Sequence, residues 1–171
     1  MDSPERDLFS PASALSSRAG DLYRQDPLWL FRTARLCAEA GRAPVAPVTV
    51  AARTLVDTAV GLDPVKIRGE VEAMLMAENP DVGLQWMHDS GLLARWLPEL
   101  EATVGFEQEA GRRHKDVWAH TKQVVRQAAL RPALRWAALL HDIGKVPTRT
   151  FTAGGKVHFH RHAEVGARMF D

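Results

Sequence analysis

Prolines preceded by short polar residues recur along the chain, and their spacing constrains the fold more than any other feature. Asp26-Pro27 and Asp63-Pro64 each set an N-cap carboxylate before a proline at the first helical position. Leu28, Phe31 and Leu36 recur at helical spacing after the first pair, and Gly41 stands where that helix would end. A second helix is read over Thr49–Val60, beyond the proline-punctuated connector Ala43–Pro47. After Asp63, the residues Val65, Ile67, Val71, Met74 and Leu75 carry a third helix towards Asn79-Pro80. Asp81–Asp89 and Leu92–Leu97 read as short helices broken by Ser90-Gly91 and Pro98. Residues 102–115 read as a loop, followed by helices over Val117–Leu130 and Pro132–His141 and another from His162. Gly144–His160, with Pro147 and Gly154-Gly155, reads as a loop with room for a short hairpin. The expected class is all-α.

Composition excludes several alternatives. With 46% hydrophobic and 25% charged residues, the 171-residue chain fits a globular protein rather than a disordered one. Its single cysteine cannot form an intramolecular disulfide, which suits a reducing cytoplasm. No uncharged apolar run approaches the length of a membrane span, so no membrane partner is expected. The first residues, MDSPERDLFS, lack the apolar core of a secretory signal, and residues 1–24 read as a flexible arm.

The net charge of +1 conceals a division. Residues 1–111 carry 10 basic and 17 acidic side chains, whereas residues 112–171 carry 12 basic and 4 acidic ones. Only the later part is suited to meet phosphate. Six of the seven histidines also lie between His114 and His162. His141-Asp142 ends an apolar helix, His120 lies 21 residues earlier, and His162 lies 20 residues after Asp142. Imidazoles beside a carboxylate suit Mn, Fe, Co, Ni or Zn better than Ca. Lys145 would place a mobile cation next to such an ion, where a phosphate oxygen could use it. The other histidines have plainer readings. His88 fits an amphipathic helix face, His114 a solvated basic patch, and His158 and His160 the polar surface of a loop.

The wording and order of HKDVWAHT, LLHDIGK and HFHRHAEVGA resemble the HD-domain superfamily, whose metal-dependent phosphohydrolases use a His…His-Asp…Asp pattern. More narrowly, residues 25–171 look like the middle and HD portion of the bacterial tRNA nucleotidyltransferase/poly(A) polymerase family, which includes CCA-adding members. QDPLWLFRTARLCAEAG, the Asp63–Met76 helix and GLLARWLPEL carry that further likeness. The resemblance implies a helical neck- or body-like segment over 25–101 and an HD domain over 102–171. It also implies a divalent metal (Mn, Ni, Co, Fe, Zn or Mg) held by His120, His141, Asp142 and His162. Asp142 and Lys145 would be catalytic, and Arg112, Arg113, Lys115, Lys145 and Arg149 would face RNA or phosphate.

Three departures from the family pattern shape the expected function. The nucleotidyltransferase head would lie upstream, where this sequence has only the arm, so nucleotide addition by this chain alone is not expected. The family's nucleotide-selecting Glu-Asp-x-x-Arg is here Gln25, Asp26, Leu28 and Trp29, which leaves Asp26 as a vestige. Trp offers one N–H donor where Arg would offer a fork. The last metal-ligating Asp of HD enzymes lies several tens of residues after the third histidine, and here nine residues follow His162. The expectation is therefore an HD-type phosphohydrolase, truncated before that Asp, acting on a nucleotide or an RNA-end phosphoester. The alternative is a non-catalytic tRNA- or RNA-binding remnant, or a subunit that works with a separately encoded nucleotidyltransferase head.

Overall fold

The computed structural model describes residues 8–10, 15–107, 116–154 and 156–170. These are mainly helical, with one two-stranded antiparallel sheet, so the class is all-α as expected. Among them, no helix is long and apolar enough to cross a membrane. The chain divides into two compact units, Met1–Trp96 and Leu97–Asp171.

The first unit holds α1 (Leu15–Gln25), α2 (Trp29–Ala40), α3 (Ala46–Leu55), a 3₁₀ turn (Val56–Ala59), α4 (Pro64–Met76), α5 (Pro80–Asp89) and α6 (Leu92–Trp96). Helix α2 buries Leu30, Phe31, Thr33, Ala34, Leu36, Cys37 and Ala38, a set that wraps most of its circumference. A helix apolar on so many sides must lie inside, and α2 packs on both α4 and α5. The α5 contact needs Gly83. A Cβ there would lie 2.6 Å from the Ala34 carbonyl oxygen and 2.7 Å from Met74 Cγ.

Two local expectations change. Residues 15–24, read as part of an arm, are helical, because Ala19 and Tyr23 are buried within a sequence otherwise rich in Ser, Gly and charge. The Tyr23 hydroxyl pairs with Thr33 Oγ1 at 3.0 Å, and burial pushes its pKa up. Asp26 is not the cap of α2, which starts only at Trp29. Its Oδ1 instead accepts from the Leu28 amide at 3.1 Å in a turn before the helix. Asp63 does cap α4, accepting from the Val65 amide at 2.9 Å.

The second unit holds α7 (Pro98–Glu101), α8 (Val117–Gln127), α9 (Pro132–Leu140), α10 (Lys145–Thr148), β1 (Arg149–Phe151), β2 (Val157–Phe159) and α11 (His162–Phe170). Asp116 caps α8 by accepting from the Trp118 amide at 3.0 Å. Helix α8 stops at Gln127, short of the expected Leu130, because Ala128 turns extended four residues ahead of Pro132. The two strands pair with Arg149 opposite Phe159 and Phe151 opposite Val157. This register puts these four residues on one face of the hairpin and Thr150 and His158 on the other.

Candidate metal centre

The centre is built where α9 ends. His141 is the residue that closes this helix, and its Nδ1 lies 2.7 Å from the Ala138 carbonyl one turn back. A carbonyl can only accept, so Nδ1 carries the hydrogen and Nε2 is the ring's outward nitrogen. His162, at the start of α11, repeats the device with Nδ1 3.0 Å from the Phe159 carbonyl. Both imidazoles are thus anchored through one nitrogen and turn the other towards Asp142. Asp142 is 3% exposed. Its Oδ2 lies 3.1 Å from His141 Nε2 and 2.7 Å from Lys145 Nζ, and its Oδ1 lies 3.9 Å from His162 Nε2.

His120 comes from the first turn of α8, where its amide donates to the backbone oxygen of Asp116, the capping residue. Its ring meets that of His141 edge-on, with centroids 5.5 Å apart. One ligand atom each from His120, His141 and Asp142 lie within 4.8 Å of one another, and His162 stands beside this trio. A first-row divalent ion with donors at about 2.0–2.2 Å holds neighbouring ligands roughly 3 Å apart and opposed ones roughly 4.3 Å apart. The separations around Asp142 fall in that range, and two nitrogens with one carboxylate form a donor set such ions accept. The residues present fit a divalent metal.

The electrostatics describe the same arrangement in its protonated form. Burial pushes the Asp142 carboxyl up, but the hydrogen bonds and charges of His141 and Lys145 outweigh it and hold the group at about 2. The hydrogen bond to Asp142 raises His141, against the lowering effect of burial. With Nδ1 on a carbonyl, an Nε2 facing a carboxylate must carry either a proton or a cation.

Of the other residues singled out by sequence, Lys145 reaches the centre through its bond to Asp142. Arg149 stands between the Phe106 and Phe151 rings, its guanidinium carbon 4.9 Å from each centroid. Arg112, Arg113 and Lys115 lie outside the described residues. Asp26 belongs to the first unit, where its carboxylate serves the Leu28 amide and Arg32 Nη1 at 2.9 Å. Trp29 lies under the Arg32 guanidinium.

Sequence reasoning passed over Gly144 and Gly166. A Cβ on Gly144 would run into the backbone oxygen of His162 and come within 2.7 Å of the Gly166 amide nitrogen. This backbone contact seats α11 against the turn that carries Asp142. The only available signal was a glycine two residues past His141-Asp142 and another four residues past His162.

Residues 117–171 match the family profile described as HD domain. The chain is 35% identical over 132 residues to the Multifunctional CCA protein of Pseudomonas aeruginosa, a span covering 72% of this chain and 32% of that protein. The counterpart in Paraburkholderia phymatum is 36% identical over 156 residues, covering 85% of this chain and 37% of that protein. The one from Azoarcus sp. is 34% identical over 155 residues, covering 82% and 38%. The chain therefore spans about a third of the length of the curated relatives it matches. No solved structure gives a significant match. The chain is an HD-domain protein, homologous over most of its length to a part of the Multifunctional CCA proteins.

Proposed function

We propose that the second unit is a metal-dependent phosphohydrolase acting on a nucleotide or an RNA-end phosphoester such as a 2′,3′-cyclic phosphate. The observation that carries this reading is the convergence of three histidines on one buried carboxylate, two of them anchored through Nδ1. His120, His141 and Asp142 would hold the ion, with His162 as a further ligand or a phosphate contact. A divalent ion there supplies a Lewis acid for a phosphoryl oxygen and lowers the pKa of bound water. Lys145, at 13% side-chain exposure, keeps an ammonium beside Asp142 and offsets charge that builds on a phosphoryl oxygen. Asp142 fixes that ammonium and, held ionised to about pH 2, stays a negatively charged ligand across the physiological range.

The homology to Multifunctional CCA proteins and the basic character of residues 112–171 support RNA, including tRNA, as partner. They also support the second reading, an RNA-binding piece without chemistry of its own, a remnant or a subunit working with a nucleotidyltransferase head on another chain. Elemental analysis and hydrolysis of a 2′,3′-cyclic nucleotide separate the two. The first reading expects stoichiometric divalent metal, and turnover that disappears in His141→Ala and Asp142→Ala. A protein that binds tRNA in a salt-dependent manner, yet takes up no metal and hydrolyses nothing, overturns it in favour of the second.

A further inference from the structure

We propose that the β1–β2 hairpin is a stacking platform for the bases of a single-stranded RNA end whose terminal phosphate lies at the His/Asp centre. This assignment rests on the phosphohydrolase reading for the phosphate's position, but the platform itself stands on other residues. One face of the hairpin carries Arg149, Phe151, Val157 and Phe159. Phe151 is 62% exposed, so its ring is accessible to a stacking base. The Arg149 guanidinium is held between Phe106 and Phe151, its Nε is buried without a hydrogen-bond partner, and no carboxylate pairs with it among the described residues. A planar cation between rings, with no carboxylate paired to it among the described residues, forms a surface that suits a base plane and a phosphate together.

Charge and continuity select the occupant. Between Asp142 and Glu164 the sequence has no acidic residue, while Lys145, Arg149, Lys156 and Arg161 are all basic. This run of cations favours a polyanion, and the exposed Phe151 ring favours unstacked bases over a duplex. The platform also adjoins the centre. Lys145 Nζ, bonded to Asp142, lies 5.9 Å from the Phe159 ring centroid, and Phe159 lies 6.1 Å from Phe106, which in turn covers Arg149. One ammonium therefore touches both the carboxylate of the centre and the first ring of the platform.

The test is direct binding. A short, fluorescently labelled single-stranded RNA ending in a 2′,3′-cyclic phosphate is titrated with the full chain, with Mn²⁺ and with chelator, beside a probe of the same length whose last residues are abasic. Phe151→Ala is expected to weaken the base-bearing probe roughly five- to a hundredfold, with Phe151→Trp restoring it. Arg149→Lys should weaken it less, and the abasic probe should not distinguish Phe151→Ala from the parent. Unchanged affinity in Phe151→Ala overturns the platform, as does Phe151-dependent self-association without RNA binding. Hydrolysis separates the two readings. Turnover that survives while Phe151→Ala binds like the parent sinks only the platform, and base-dependent binding without turnover sinks only the phosphohydrolase.

Discussion

Each unit has a carboxylate with little solvent exposure held by two positive partners, and the partners differ in kind. In the first unit Glu70, 16% exposed, receives Arg32 Nε at 3.0 Å on one oxygen and Arg35 Nε at 2.9 Å on the other. Those guanidiniums also reach Asp26 at 2.9 Å and Glu39 at 2.7 Å, so the charges alternate in a line from Asp26 through Arg32, Glu70 and Arg35 to Glu39. In the second unit Asp142 is met by Lys145 and by imidazoles. A guanidinium never loses its proton and has no lone pair to offer. An imidazole can exchange its proton for a metal, and here one ring nitrogen is already fixed for that exchange. Two sites with similar charge balance therefore separate into a clamp and a cluster that could hold a metal through side-chain chemistry alone.

The sharpest way to break this contrast is to neutralise each carboxylate in turn. Asp142→Asn should cut Mn²⁺ affinity by about two orders of magnitude or more, since on the proposed reading it alters a ligand rather than an outer partner. Glu70→Gln should leave metal affinity unchanged and lower unfolding free energy by about 2 kcal/mol, because two guanidiniums lose a charged acceptor. Isothermal titration and denaturant unfolding read the two effects. A loss of metal binding in Glu70→Gln would show that the clamp is no mere clamp.

The glycine contacts give the next contrast. Gly83→Ala and Gly144→Ala each drive a Cβ into backbone that cannot swing aside, at a cost of about 1–3 kcal/mol. In Gly83→Ala only the packing of α5 on α2 suffers. Gly144→Ala displaces the backbone of His162 and should also weaken metal, which a titration of the two variants at equal folded fraction would reveal.

These pairs show what the sequence could and could not convey. The proline-led helix starts were legible because a missing N–H and a fixed φ are properties of one residue and act locally. Asp63 followed that rule, whereas Asp26 was drawn into a turn by Leu28 and into an ion pair by Arg32, a partner six residues away. The helix over Leu15–Gln25 was not legible, since among its residues of described burial only Ala19, Gly20 and Tyr23 are buried. At the centre, His120, His141, Asp142 and Lys145 were named by residue type and spacing. The carbonyls of Ala138 and Phe159 and the Gly144–Gly166 contact were not, because backbone groups leave no letter in the sequence.

Acid titration acts on the second unit through Asp142 and His141. The Asp142 carboxyl is held at about 2, below the usual unfolded value near 3.9, so its pairing contributes stability above that value. That contribution, about 2 kcal/mol, is lost as pH falls from near 4 towards 2. His141 is raised, so its ion pair in the metal-free protein is complete below pH 6.5 and is lost as pH rises through the higher folded value. Metal competes with that same proton on Nε2. Mn²⁺ affinity should therefore climb as pH rises from 6, up to about tenfold per unit for one displaced proton, while metal-free stability declines. A flat affinity across that range would mean that His141 is not a ligand.

The smallest effect tests whether the helix that carries His120 is part of the centre. Asp63 and Asp116 cap α4 and α8 with bonds of 2.9 and 3.0 Å to the amide two residues on, so either alanine substitution should cost about 1 kcal/mol. The stability losses should match, since the caps do. Their consequences should not, because the first turn of α8 holds His120, whose amide bonds back to Asp116. Fraying that turn lets His120 leave the trio, and if His120 is a ligand as proposed, Asp116→Ala should lower metal affinity severalfold where Asp63→Ala leaves it unchanged. Equal metal affinity in the two would place the binding energy on His141, Asp142 and His162, with His120 as a bystander to an ion held from the other side.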